Sequence, residues 1–401
     1  MTHTRLNFDI KFVTGNEDDI LRVEKLKPLK IFSEEVCAFS DALSKRLLKD
    51  NSAKKFSDVV TFAFWCRKAS IKQMATAYSE DLNSRLGRGI IFHIAPSNVA
   101  VNFAYSFIAG ILAGNANIIR LPSKNFPQVE IICDAINEIL RTDFKNLSPY
   151  IFMLRYGHEK EVTDFFSSIC DVRVIWGGDD TIKNIRQSPL KARAVEITFA
   201  DRYAVAVIQA DEYLKSVDKA RIAKDFFNDT YLTDQNACSS PKVIVWLGNE
   251  KRLARETFWK NLQVLIDAEY NFRQIQAVDK AVKFFMLAAD EDLKLIPSKN
   301  NRLTRAEIFD LNHLTNFDFN SGFFIEYEAE NLSEIFPICG ERCQTLAHYG
   351  LDEETVKNFV LSSAPKGIDR IVELGRTLDF SLTWDGFDLI RSMSRKIFTK
   401  S

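Results

Sequence analysis

Between residues 89 and 186 short apolar runs alternate with turns and helical stretches, and this limits the available folds more than any other feature of the chain. Gly89–Ile94 reads as a buried strand that ends at Ala95-Pro96-Ser97-Asn98. An apolar helix is expected from Val99 to Leu112, closed by Gly114-Asn115. A second strand, Asn117–Leu121, runs into Pro122-Ser123-Lys124 and a helix near Gln128–Leu140. After a linking segment the pattern returns: strand Val172–Trp176, turn Gly177-Gly178-Asp179-Asp180, and a helix opening at Thr181–Arg186. Strands joined through helices lie parallel, and ligands bind where such strands end. An α/β fold follows. Paired glycines before a helix let a phosphate approach backbone N–H groups, although a plain tight turn would use them too. There is no G-x-G-x-x-G, so a dinucleotide site here departs from the ordinary fingerprint.

At 401 residues the chain exceeds one simple core, and two domains are expected. The 53 basic and 54 acidic residues nearly cancel, which removes the electrostatic case for nucleic acid or an anionic membrane as partner. The apolar stretch Ile90–Ile119 is interrupted by His93, Pro96, Asn98, Asn102 and Gly110, so no membrane span is expected. The N-terminus lacks the apolar core of a signal peptide, and seven scattered cysteines make no disulfide framework. A cytoplasmic protein is the expectation. The 32 phenylalanines are first of all packing material.

The stretch Thr233–Trp246, TDQNACSSPKVIVW, carries the chemistry. Cys238 stands among Asn236, Ala237, Ser239 and Ser240, with the β-branched run Val243-Ile244-Val245 behind it. Small neighbours let a carbonyl reach the sulfur and leave backbone N–H groups near the oxyanion that forms on attack. A buried structural thiol is the competing reading, and the polar surroundings argue against it. Cys37 and Cys66, on apolar helices around Glu34–Leu48 and Val59–Tyr78, read as core. Further strands are expected at Ala204–Ile208, Val243–Leu247 and Gly322–Tyr327, helices at Asp218–Phe227 and Lys251–Ala268, and a mixed segment from there to Phe319.

Six segments together resemble the LuxC-type acyl-CoA reductases: PSNVA at 96–100, LAGNANIIRLPSK at 112–124, WGGDD at 176–180, FADRY at 199–203, DQNACSSPK at 234–242 and WDG at 384–386. The resemblance implies an aldehyde-dehydrogenase-like fold, with a Rossmann-like cofactor domain and an α/β catalytic domain. It divides the chain into residues 1–205, N-terminal helices and nicotinamide-binding domain, 206–360, catalytic domain with Cys238, and 361–401, a C-terminal segment for subunit contact through a strand at Leu378–Thr383. It makes Cys238 the nucleophile that takes an acyl group from a thioester, and Asn98 the amide of the oxyanion hole. By spacing alone Asn98 would serve as a turn or cap before Val99. Gly177 and Gly178 match the turn over the cofactor pyrophosphate, and the segment holding Arg120, Ser123 and Lys124 matches the loop at the adenosine ribose.

In that loop NAD-preferring relatives place an acidic residue. Two cations and a hydroxyl would instead attract a 2′-phosphate, so NADPH is the expected cofactor. Relatives that oxidise aldehydes carry a glutamate base; alignment on FADRY puts Thr198 in its place, with Glu196 two residues earlier. Without a base an acyl-cysteine outlives hydrolysis and can be reduced. The expected reaction is therefore NADPH-dependent reduction of an acyl-CoA or carrier-bound thioester to an aldehyde. Aldehyde oxidation and a non-redox acyl-carrying role for Cys238 are the rivals. Lys242, four residues on, is a candidate for lowering the thiol's pKa. Cys339, Cys343 and His348 are too few for zinc, so no metal is expected; His93 reads as a core histidine. A homo-oligomer and an acyl-transferring partner are further implications of the resemblance.

Overall fold

The computed structural model describes Leu6 and residues 8–400, so the opening stretch read above as lacking a signal peptide lies partly outside the described residues. The chain forms two compact units: one of residues 1–200 with 380–401, the other of 201–379. The segment 361–401 is thus divided, its first part belonging to the second unit and its last part to the first.

The first unit is built on six strands. They are β1 (Lys11–Thr14), β2 (Ile90–Ile94), β3 (Ala116–Arg120), β4 (Ile151–Arg155), β5 (Val172–Trp176) and β6 (Val195–Phe199), in spatial order β1-β4-β3-β2-β5-β6. All neighbours are parallel except β1 against β4. Every residue of β2 and β5 is buried, as strands covered by helices on both faces must be. The helices α1 (Glu34–Lys49), α2 (Asn102–Leu112), α3 (Pro127–Thr142), α4 (Lys160–Ile169) and α5 (Asp179–Ile185) supply that cover. On α3, Val129, Ile132, Cys133, Ile136 and Leu140 form the inward stripe, and Pro127 opens the helix where no intrahelical donor is needed. The helix expected over Val59–Tyr78 is two, Ser57–Trp65 and Lys68–Thr76. Cys66 is fully buried, whereas Cys37 is only half-buried against the same core.

Residues 380–400 close this unit. Leu378–Thr383 is not a strand; a two-residue hairpin joins Thr383–Trp384 to Phe387–Asp388. Its turn, Asp385-Gly386, has φ of 48° and 75°, which explains the Asp-Gly of the WDG segment: a tight hairpin turn needs two left-handed residues. Beyond it a short helix, Leu389–Met393, gives way to a strand, Ser394–Lys396, paired with Arg85–Gly87.

The second unit holds a seven-stranded sheet. Its strands are β7 (Tyr203–Gln209), β8 (Pro241–Leu247), β9 (Leu293–Ile296), β10 (Thr304–Ile308), β11 (Phe323–Glu328), β12 (Cys343–Tyr349) and β13 (Arg370–Glu373), in the order β9-β10-β11-β8-β7-β12-β13. Only the edge pair β9–β10 is antiparallel. Helices α6 (Lys219–Thr230) and α7 (Lys251–Glu269) pack on one face through Phe226, Phe258 and Trp259. The mixed segment contains a long helix, α8 (Gln274–Asp290), and the strands β9 and β10. Among the described residues no helix is long and apolar enough to cross a membrane.

Candidate active site

In the first unit the chain order of the parallel strands reverses on either side of β2. The crevice at a topological switch point opens between β2 and β5, outside their carboxyl ends. Ile94 pairs with Arg120 on one side and with Ile175 on the other, so Ser97-Asn98, Arg120–Lys124 and Gly177-Gly178 gather at one sheet edge. Ser97 and Ser123 join their hydroxyls at 2.9 Å. Helix α2 opens at Asn102 rather than Val99, and its cap position is Val101, without a side-chain hydrogen bond. Asn98 therefore does not cap it; it lies exposed in the loop between β2 and α2.

The predicted cofactor residues differ in their commitments. The Arg120 guanidinium lies 4.7 Å from the centre of the Tyr156 ring and donates to the Gly157 carbonyl, which fixes it at the end of β3. Lys124 is exposed, its ammonium 5.1 Å from the Phe126 ring. Gly177 has a steric reason to be glycine, since a Cβ would meet Thr181 Cγ2 at 2.9 Å. Gly178 has none: its φ is −64°, and nothing lies within 4 Å of where a Cβ would stand. That open space is what a phosphate close to the backbone would need. Asp179 and Asp180, in the first turn of α5, favour the helix dipole but oppose a second anion.

Beneath the crevice runs a buried network that the sequence did not expose. His93 bonds Ser106 Oγ through Nδ1 at 2.8 Å and Asn117 Oδ1 through Nε2 at 2.9 Å, while Trp176 Nε1 donates to the same Ser106 at 2.9 Å. Burial outweighs the Asn117 contact and lowers the His93 pKa to about 4, so the ring is a neutral, satisfied core histidine. The network fixes Trp176, the residue before Gly177-Gly178, and Phe199 stacks on its indole at 3.7 Å.

Glu196 is held fast. Its carboxylate accepts from Arg173 Nε at 2.9 Å and from Arg186 Nε at 2.7 Å, and Arg173 is anchored in turn to Ser167 and Ser188. Burial raises its pKa, but the hydrogen bonds and charges of the two arginines prevail and keep it below the usual carboxylate range. A carboxylate so occupied is a poor base near neutral pH. Thr198 faces the same side of β6 and borders a hollow of about 280 Å³ lined by Asp179, Ile182, Lys183, Arg186 and Ala200.

In the second unit Cys238 is half-buried, in the loop between α6 and β8. The loop is entered through two consecutive left-handed residues, Asp234 (φ 52°) and Gln235 (φ 57°). Non-glycine residues adopt that conformation only when their surroundings enforce it. The Asp234 carboxylate accepts from Tyr270, from Gln276 Nε2 at 2.8 Å and from Ser321 Oγ at 3.1 Å. Gln235 is buried; its Nε2 donates to the Pro241 and Phe323 carbonyls at 2.9 and 3.0 Å, and its Oε1 accepts from the N–H groups of Gly322 and Phe323 at 3.2 Å. Ser240 Oγ donates to the Asp229 carbonyl at 2.7 Å and closes the loop from the other side.

Lys242 is buried behind the loop, and its ammonium donates to the carbonyls of Gln235 and Phe319. Burial, then the charge of Lys283, lowers its pKa to about 7; Asp318 and Cys238 pull the other way. Near neutrality it is a part-time cation within electrostatic reach of the thiol. Cys339 and Cys343 are both buried, and Cys343 is pushed far up by its hydrogen bond with Cys339 and by burial. Among the described residues no group of three or more His, Cys, Asp or Glu could hold a metal.

The LuxC acyl-CoA reductase family has a sequence profile that matches residues 23–272, more than half of the chain. The chain belongs to that family. Five of the six segments quoted above lie inside the match, and Trp384–Gly386 lies beyond it. No curated protein matches the sequence. Among solved structures, aldehyde dehydrogenase 21 from Physcomitrella patens superposes with a TM-score of 0.64 at 10% identity, covering 94% of this chain and 88% of that one. An aldehyde dehydrogenase from Bartonella henselae gives 0.63 at 12% identity over 90% and 86%. The glyceraldehyde-3-phosphate dehydrogenase GapN from Methanocaldococcus jannaschii, complexed with NADP, gives 0.60 at 14% identity over 91% and 86%. The LuxC chain is thus an oxidoreductase with the aldehyde-dehydrogenase-like fold expected from its sequence.

Proposed function

We propose that this LuxC protein reduces an acyl thioester to an aldehyde through an acyl group carried on Cys238. The observation that carries the reading is the nucleophile loop: a half-buried cysteine on a loop pinned by Gln235 and Asp234, with a buried lysine behind it. Cys238, as thiolate, attacks the thioester carbonyl; the C–S bond to the enzyme forms as the bond to coenzyme A, or a carrier thiol, breaks. Loop N–H groups hold the oxyanion, and the Asn98 amide is the further donor that the family resemblance implies. Lys242 favours the thiolate when protonated.

The crevice of the first unit suits NADPH: Gly177 and Gly178 would receive the pyrophosphate, and Arg120, Ser123 and Lys124 the 2′-phosphate. When bound, the nicotinamide supplies the hydride that reduces the acyl group. With Glu196 bound to two arginines and Thr198 unable to take a proton, water has no activating base on this strand, which favours reduction over hydrolysis. All seven cysteines are free thiols, in keeping with a cytoplasmic enzyme.

The test is loss of reduced-nicotinamide absorbance on mixing the protein with NADPH or NADH and a ladder of acyl-CoA chain lengths, alongside Cys238→Ala. Thioester-dependent oxidation, faster with NADPH and absent in the variant, is expected. A stable acyl label on Cys238 with no cofactor consumed would replace the reductase reading with that of an acyl carrier.

A further inference from the structure

Arg120 is oriented from a neighbouring strand. It ends β3 and pairs with Leu154 of β4, so Tyr156, two residues beyond Leu154, falls on the side to which the Arg120 side chain points. The Tyr156 ring centre lies 4.7 Å from the guanidinium carbon, and the Gly157 carbonyl accepts from Nη2. The ring itself is seated on α4: it meets Phe166 at 6.3 Å, and its hydroxyl is buried beside Thr163. From the same strand Arg155 donates to the Pro122 carbonyl at 2.8 Å and to Glu130 at 2.7 Å, which pins the turn after Arg120. Lys124, by contrast, is exposed on a flexible stem.

A ring face and a carbonyl orient a guanidinium without neutralising it. One of its N–H donors is spent on Gly157, and the others keep a fixed fork suited to phosphate. Glu159, exposed in the same loop, turns its carboxylate back over Gly157, 2.9 Å from where a Cβ would stand. An arginine released from the ring would be drawn to that carboxylate, and pairing there would cancel the charge offered to an anion. Seated on Tyr156, the cation stays open to a second partner, and little side-chain freedom is left to lose on binding.

We propose that Tyr156 is a positioning residue for cofactor choice: its ring holds the Arg120 guanidinium ready for a 2′-phosphate, a role that rests on the reading of residues 120–124 as the 2′-phosphate site. The preference for NADPH over NADH is then set in part by the residues that follow β4. The test is direct binding, by isothermal titration calorimetry of the full chain with NADPH and with NADH, no acyl substrate present. The wild type is expected to bind NADPH more tightly, and Arg120→Met to lose that preference. In Tyr156→Leu the NADPH dissociation constant should rise about five- to tenfold, from the lost ring contact and the freedom regained by the arginine, while that for NADH stays within about twofold. Tyr156→Phe keeps the ring and should keep the preference. Equal loss of both cofactors in Tyr156→Leu would make the ring a structural prop only and overturn the proposal. A preference that survives Tyr156→Leu but not Arg120→Met would overturn it while leaving the 2′-phosphate site standing. A wild type without preference, or an Arg120→Met variant that keeps one, would remove both. Loss of the preference in Tyr156→Phe as deep as in Tyr156→Leu would assign the effect to the hydroxyl and sink the account of the ring.

Discussion

Replacing Gln235 tests whether the nucleophile loop is held as described. In Gln235→Ala four hydrogen bonds vanish. The Phe323 N–H retains a second acceptor, the Asn320 carbonyl at 3.2 Å, so three buried backbone groups lose this partner: the Pro241 and Phe323 carbonyls and the Gly322 N–H. At about 1–1.5 kcal/mol each the loss is about 3–4.5 kcal/mol, a large share of a domain's stability. Gln235→Gly loses the same bonds, but its backbone sits at φ 57° without the Cβ penalty. That penalty is roughly 1–2 kcal/mol, offset by roughly 0.5–1 kcal/mol of extra freedom in the unfolded glycine chain. The glycine variant should therefore be the more stable of the two by about 0.5–1 kcal/mol, the reverse of the usual order. Urea unfolding followed by circular dichroism, at equal denaturant dependence, measures both. Thioester reduction should fall on the order of 100-fold in each, because Cys238 lies three residues on and catalysis is intolerant of small displacements. A glycine variant less stable than the alanine variant, or both within about 0.5 kcal/mol of wild type, would refute the account of the loop.

Two further substitutions probe the chemistry. Thr198→Glu supplies a carboxylate where alignment on FADRY would put an aldehyde-oxidising relative's base, so acyl-CoA hydrolysis without cofactor should appear and aldehyde yield per thioester should drop; free-thiol release with no fatty acid formed would speak against that placement. Lys242→Met should slow Cys238 alkylation by iodoacetamide at and below about pH 7, where the lysine is protonated, and leave it little changed well above that. Lys242 has its folded pKa lowered to about 7, below the unfolded value of 10.5, so the unfolded chain binds the extra proton between those values. Wild-type stability should then climb as pH rises from about 7 towards 10.5, on the order of 1 kcal/mol per pH unit, and the methionine variant should lack that climb. An unmoved alkylation profile would leave Lys242 a purely structural tie.

Turn chemistry made the crevice of the first unit legible: Ala95-Pro96-Ser97-Asn98, Pro122-Ser123-Lys124 and Gly177-Gly178 each end an apolar run, and parallel neighbouring strands bring such ends to one edge. Pairings that depend on strand register were hidden. Glu196 and Arg173 are partners because β5 and β6 set them side by side, a relation absent from their separation of 23 residues. The sequence therefore left Glu196 open as a base, which its two arginines argue against. The Asp234-Gln235 pair was visible only as part of a motif. Its left-handed backbone depends on Tyr270, Gln276, Ser321 and Phe323, all distant in sequence. Lys242 did leave a signal, a lone cation inside the apolar strand Pro241–Leu247, which must find carbonyls or lose its charge. The hardest element was α8, because apolar periodicity reports that one face is special without saying which way it points. There Gln276 and Lys280 share the interior with Leu287, because Asp234 and the Asn301 carbonyl satisfy them, and unsatisfied polar groups cost more to bury than apolar side chains cost to expose. The helix that ties Asp234 in place thus also leaves Ile275, Val278, Val282, Phe285 and Met286 exposed.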